Sequence, residues 1–190
     1  MKIKKTWIIL AVVAIVIIAL IASVSGTYNG LVEKQAEVDQ KFAQVQTVLQ
    51  RRSDLIPNLV STVKGYAAHE EEVYTAISNA RAALSGAKTA EDLSEANGAL
   101  DSALSRLLVV VENYPDLKAN TNFIALQDEL AGAENRIATE RGRYNEAVKN
   151  YNTAIKKFPN NIFAGIFGFE SAEYFEADEG AQKVPEVNFD

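Results

Sequence analysis

Two apolar patterns succeed one another along the chain. Trp7 to Ala22 is an unbroken apolar run of sixteen residues, and no charge appears between Lys5 and Glu33. With Thr6, Ser23, Val24 and Ser25, the uncharged stretch over residues 6–25 reaches the roughly 20 residues a helix needs to cross a bilayer, and Trp7 falls where an interfacial aromatic belongs. From Leu31 the pattern becomes a seven-residue repeat. Of sixteen positions taken at alternate steps of four and three from Leu31 to Leu84, thirteen are apolar, and the exceptions are Gln35, Arg52 and Glu70. Such a period predicts a long amphipathic helix.

The phase does not slip at Pro57 or Gly65, which predicts one long element bent at Pro57, where an interior hydrogen bond is lost. The alternative is a break, with Asp54 near the cap and Pro57 in the first turn of a new helix. Gly26, Asn29 and Gly30 predict a hinge or helix break just after the membrane span. A turn at Ser85–Lys88 is followed by Thr89 with Asp92 three residues on, a capping-box pair that starts a second helix. Its stripe runs through Leu93, Ala96, Leu100, Ala103, Leu107, Val110 and Tyr114, and Pro115 ends it. A third stripe from Phe123 to Phe158 is apolar except at Glu140, and Pro159 stops it. The fold class is therefore all-α: an amino-terminal transmembrane helix followed by an antiparallel bundle of three to four long helices. The count stays open because a helix from Leu31 to Leu84 would be about 80 Å long against about 35–40 Å for the second. Either part of it projects as a stalk, or it breaks and makes a fourth helix. The expected organisation is a stub and anchor at 1–26, the bundle at 27–158 and an aromatic, then acidic, tail at 159–190.

Charge sets the orientation and excludes one partner class. Lys2, Lys4 and Lys5 precede the span, so the amino terminus faces the cytoplasm and the bundle the outside or periplasm of a single-pass protein of the inner or cytoplasmic membrane. A cleavable signal peptide is the rival reading, with Ser23-Val24-Ser25 as its small-residue site, but the apolar run exceeds the usual 7–15 residues of such a segment (about two turns of helix or more). Of 19 basic residues the three leading lysines belong to the stub, leaving 16 against all 25 acidic ones, a net charge of −9 beyond the span. Nucleic acid is not a partner for so acidic a surface. There is no cysteine, which removes disulfides, thiolate metal sites and cysteine nucleophiles. From Glu170 onward seven acidic residues face Lys183 alone, an exposed acidic tail.

Candidate chemistry concentrates in QRRSDLIPNLVSTVKGYAAHE, residues 50–70. Arg51, Asp54, Asn58, Gly65, His69 and Glu72 recur at helical spacing and would form a polar strip for a partner, with Gly65 allowing close approach of another backbone. His69 beside Glu70, Glu71 and Glu72 invites a metal or acid–base reading. Yet it is the only histidine, HExxH is impossible, and two ligands are too few, so no metal or cofactor is expected. No sharp-turn serine or phosphate loop accompanies it, and no enzymatic activity is expected. Arg52 interrupts the apolar stripe, and a buried lone charge is costly, so a carboxylate should face it: Glu140, or a network including Glu134. Arg52, Pro57, Glu134 and Glu140 are thus structural candidates. Phe158, Phe163, Phe167, Phe169, Tyr174 and Phe175 crowd the start of the tail. They either fold back to cap the bundle or form a docking patch for another subunit or for lipid.

The chain resembles the LemA family almost end to end. The resemblance rests on the amino-terminal membrane helix, YNGLVEK at 28–34, the 50–70 segment, ARAAL at 80–84, NFIALQDELAGAENRIATERGRYNEAVKNYN at 122–152 and the FP and FGF elements of the tail. Phe42 stands where many members carry tryptophan. The resemblance implies a membrane-anchored helical bundle without an established catalytic activity, and LemA-like proteins occur among those that shape magnetosome membranes, which points by analogy to membrane organisation. The expected role is a structural or scaffolding protein of the cell envelope, meeting the bilayer through residues 6–25 and assembling as a homo-oligomer or with other envelope proteins. The alternative is a binding or sensory module for a signalling partner, lipid or small ligand.

Overall fold

A computed structural model describes the chain from Lys5 to Glu176; the acidic residues beyond lie outside the described residues. Everything described is helix or connection: α1 Lys5–Lys64, α2 Glu71–Gly86, α3 Ala90–Val111, α4 Pro115–Lys118, α5 Thr121–Lys156 and α6 Asn160–Phe167. The all-α class and the helical bundle are as the periodicity predicts. Two boundaries differ. The hinge expected at Gly26–Gly30 is absent, because α1 runs straight through it. The long element expected to reach Leu84 ends at Lys64, not at Pro57, which sits inside α1.

The break has a local cause. Gly65 disfavours helix, and the Tyr66 and Ala67 amides both donate to the Val63 carbonyl at 2.9 Å, closing the last turn. Tyr74 on α2 then reaches back to donate its hydroxyl to the Ala67 carbonyl at 2.6 Å, and the Lys64 ammonium lies 4.8 Å from the Tyr74 ring centre. Burial pushes the Tyr74 hydroxyl's pKa up, and the nearby Glu70 and Tyr114 add to it. The connection restores the heptad phase, with Ile77, Ala80 and Leu84 again buried.

The chain divides into two compact units. One holds Lys41–Asn145 and the segment from Glu173 on; the other holds the chain as far as Gln40 with Glu146–Ala172. In the former, the carboxyl-terminal part of α1 packs with α2, α3, α4 and most of α5 around Leu49, Ile56, Ile77, Leu100, Leu107 and Ile137, each at most 1% exposed. The α2–α3 hairpin closes on a complete capping box: Asp92 N donates to Thr89 Oγ1 at 3.0 Å, and Thr89 N to Asp92 Oδ2 at 3.2 Å. Asn120 starts α5 by accepting from Asn122 N and Phe123 N at 2.9 and 3.2 Å. In the other unit Leu31, Val38, Val148, Tyr151, Ile155 and Ala164 are buried, whereas every side chain from Trp7 to Ala22 is exposed.

Candidate functional site: the Arg52–Pro57 segment

The helical repeat that carries α1 inward also carries Arg52 inward, leaving it 5% exposed. Its guanidinium is met from two other helices. Nη1 donates to Asn97 Oδ1 at 2.8 Å, and Nη2 pairs with Asp101 Oδ1. Nη1 also meets Glu134 Oε2 at 2.7 Å, a charge contact outside hydrogen-bond alignment. Asn97, wholly buried, completes the ring by donating from Nδ2 to Asp101 Oδ2 at 2.9 Å. Asp101 and Glu134 keep 37% and 43% of their side chains exposed, so one buried cation is held by two anions that still reach water. Such a cluster fixes the register of α1, α3 and α5 more than it adds stability.

Pro57 works on the opposite neighbour. A proline inside a helix has no N–H for the carbonyl four residues earlier, which here belongs to Ser53. Arg81 of α2 takes that role: its Nε donates to the Ser53 carbonyl at 3.1 Å and lies 3.3 Å from Ser53 Oγ. The acceptor that the proline strands becomes the anchor point of α2. In one turn of α1, Arg52 thus holds α3 and α5 while Ser53 holds α2.

Glu134 belongs to the network, but the expected Arg52–Glu140 pair does not form. Glu140 accepts from Arg143 Nη1 at 2.6 Å, one turn along its own helix. The polar strip does not share one helix either. Arg51, Asp54 and Asn58 are exposed on α1, Gly65 and His69 lie in the connection, and Glu72 is in the first turn of α2. Asp54 accepts from Gln50 Nε2 at 2.7 Å. A Cβ on Gly65 would meet only the Thr62 carbonyl, at 3.4 Å, so no other backbone approaches it.

Asn97 and Asp101 were not singled out, although Asn97 leaves a sequence signal. Leu93, Asn97, Leu100, Leu104, Leu107 and Val111 form a strict four–three repeat in which Asn97 is the one polar member. The polar interruptions of two stripes, Arg52 and Asn97, meet.

A second polar device lies at the tail. Asn145 clasps one residue twice: Phe175 N donates to its Oδ1 and its Nδ2 donates to the Phe175 carbonyl, both at 2.9 Å. The Phe175 ring lies 5.0 Å from Tyr144 and 6.2 Å from Phe42, with the Arg141 guanidinium 5.4 Å away. In the other unit Asn152 does the same to Ala172, at 2.9 and 2.8 Å. There, burial pushes the Tyr151 hydroxyl's pKa up, with Asp39 and Glu170 adding to it.

A cleft of about 480 Å³ opens beside Arg52, lined also by Leu59, Leu104, Leu108 and Asp128. Among the described residues no group of three or more His, Cys, Asp or Glu is placed to hold a metal ion.

These features define a class: an all-helical protein whose first helix is long and apolar enough to cross a membrane, and whose bundle is registered by a buried arginine. The chain belongs to the LemA family, whose family model matches residues 41–189. It is 31% identical over 186 residues to magnetosome protein MamQ 2 of Paramagnetospirillum magneticum, covering 84% of this chain and 68% of that one. It is 27% identical over 192 residues to magnetosome protein MamQ of Magnetospirillum gryphiswaldense, covering 87% and 71%. Protein LemA of Metamycoplasma hominis is 26% identical over 155 residues, covering 81% and 71%.

Proposed function

We propose that this is a membrane-anchored structural protein of the cell envelope with no catalytic role. Residues 6–25 cross the inner or cytoplasmic membrane, the leading lysines stay in the cytoplasm, and the bundle stands outside or in the periplasm. There it assembles with itself or with other envelope proteins and organises membrane. In this reading 1–26 anchors, 27–158 forms the working surface and 159–190 is an appended tail. One observation carries it: Trp7 to Ala22 is exposed throughout. An apolar helix that the described protein does not cover has its lowest free energy in lipid. Similarity to proteins named for the magnetosome supports an organising role. Protease protection in right-side-out and inverted vesicles tests the topology; digestion of the bundle only in inverted vesicles would overturn it. Crosslinking in native membranes tests assembly, and a strictly monomeric species there and in mild detergent would count against it.

The cleft beside Arg52 favours a second reading, a binding or sensory module. Its volume of about 480 Å³ falls within the usual range for small-ligand pockets. A ligand seated there should raise the Tm of the wild type and leave a Leu104→Trp variant, with the cleft filled, unshifted.

A further inference from the structure

We infer that α6 and the residues around it form an interfacial docking surface for the lipid bilayer, at the depth where α1 leaves the membrane. The inference rests on the membrane-anchor reading of α1. The argument begins with length. Trp7 and Tyr28 are separated along α1 by about 32 Å at 1.5 Å per residue, close to the ~30 Å hydrocarbon thickness of a bilayer. When Trp7 occupies one aromatic belt, Tyr28 occupies the other.

Tyr28 is where α6 attaches. Its ring lies 5.0 Å from the Phe167 ring and 5.7 Å from the Phe169 ring, both edge-on. Gly168 between them adopts the left-handed conformation, φ 75°, that caps α6 and turns the chain. The Phe169 amide closes the turn on the Ala164 carbonyl at 2.9 Å. The aromatic contacts place the end of α6 at the height of Tyr28, within the interfacial layer.

What α6 shows there is apolar. Ala164 is buried, whereas Ile162 is 51% and Ile166 69% exposed, one turn apart, and Phe158 just before the helix is 81% exposed. In water these side chains would be an uncovered greasy edge; at the bilayer boundary they are covered by acyl chains. Lys156 and Lys157, exposed immediately before Phe158, supply the cationic flank typical of interfacial segments. A second protein copy would also cover the edge, but it would not explain why the edge lies at the depth of the span's far aromatic. The segment therefore gives the protein a second hold on the membrane.

The test uses the full chain in phosphatidylcholine vesicles containing a minority of phosphatidylglycerol. Trp7 is the only tryptophan, so Ile166→Trp combined with Trp7→Phe reports position 166 alone. Shallowly brominated lipid should remove roughly half or more of its emission, as expected for a residue about 5–10 Å into the headgroup–acyl boundary, while aqueous iodide has little effect. Val109→Trp in the same background, on the exposed face of α3, should respond oppositely. Strong iodide quenching at position 166 would overturn the proposal. So would shielding from both quenchers, which means protein covers the edge. Quenching of wild-type Trp7 by brominated lipid tests the anchor separately, so loss of that signal marks failure of the anchor and not of the α6 surface alone. As a second readout, Ile162→Ser with Ile166→Ser should reduce bromolipid quenching of a reporter at neither position, Phe163→Trp in the Trp7→Phe background, by about half or more; unchanged quenching would overturn the role of the two isoleucines.

Discussion

The two units solve opposite problems. In the Lys41–Asn145 unit a charge lies inside and is held at both terminal nitrogens: Arg52 is 5% exposed and touches Asn97, Asp101 and Glu134. In the unit that includes the amino-terminal helix, apolar side chains lie exposed: Trp7 to Ala22 on α1, then Ile162 and Ile166 on α6. A buried cation with partners is what a water-surrounded bundle tolerates, and uncovered apolar helix is what lipid requires. The contrast teaches that the surroundings of each unit can be read from which kind of side chain it takes inside and which kind it leaves out.

Substitutions that unpair Arg52 should have the largest effect. Asp101→Ala strands part of a buried guanidinium and should cost about 3 kcal/mol or more in denaturant unfolding of the bundle, whereas Arg52→Met, which leaves two carboxylates able to hydrate, should cost distinctly less. Equal losses would mean that the cluster is held by packing alone.

Next comes the proline-stranded acceptor. Arg81→Ala leaves the Ser53 carbonyl without its donor and should cost roughly 1–3 kcal/mol. In a Pro57→Ala background the restored amide satisfies Ser53, so the same substitution should cost measurably less. Additivity in this double-mutant cycle would break the link between Pro57 and Arg81.

A smaller, pH-dependent effect belongs to the α3 cap. The Thr89 side chain, then the Lys88 and Thr89 amides, hold the Asp92 carboxyl below the ordinary aspartate range. Its folded pKa is depressed, so its stabilising contribution is present above the unfolded value, about 3.9, and is lost as pH falls through the folded one. Thr89→Ala should flatten that acid limb in a Tm-versus-pH series and lower the Tm at neutral pH. The smallest effect sharpens the comparison from the other side: Ile166→Ser should leave bundle unfolding within about 0.5 kcal/mol of wild type, as surface changes usually do.

Much of this was legible where local chemistry and period agree. Thr89 and Asp92 announced the start of α3, and the heptad of α1 marked Arg52 as inward-facing. The end of α1 was not legible, since the chain resumes its phase after the Gly65–Glu70 connection and periodicity alone does not register the gap. Of the two carboxylates expected for Arg52, Glu134 meets it and Glu140, the charged member of its own stripe, does not. Arg143, three residues on, is the nearer claimant of Glu140, and α3 adds Asn97 and Asp101 beside Glu134. The asparagine clasps leave no periodic trace, because each joins a side chain to a backbone many residues away.

Those clasps have a chemical consequence for which sequences the tail accepts. At Ala172, Asn152 grips only the amide and the carbonyl, groups that nineteen of the twenty amino acids present alike. The hold is indifferent to side-chain identity and sensitive only to backbone extension, so proline, which has no N–H, is the single residue whose chemistry it rejects outright.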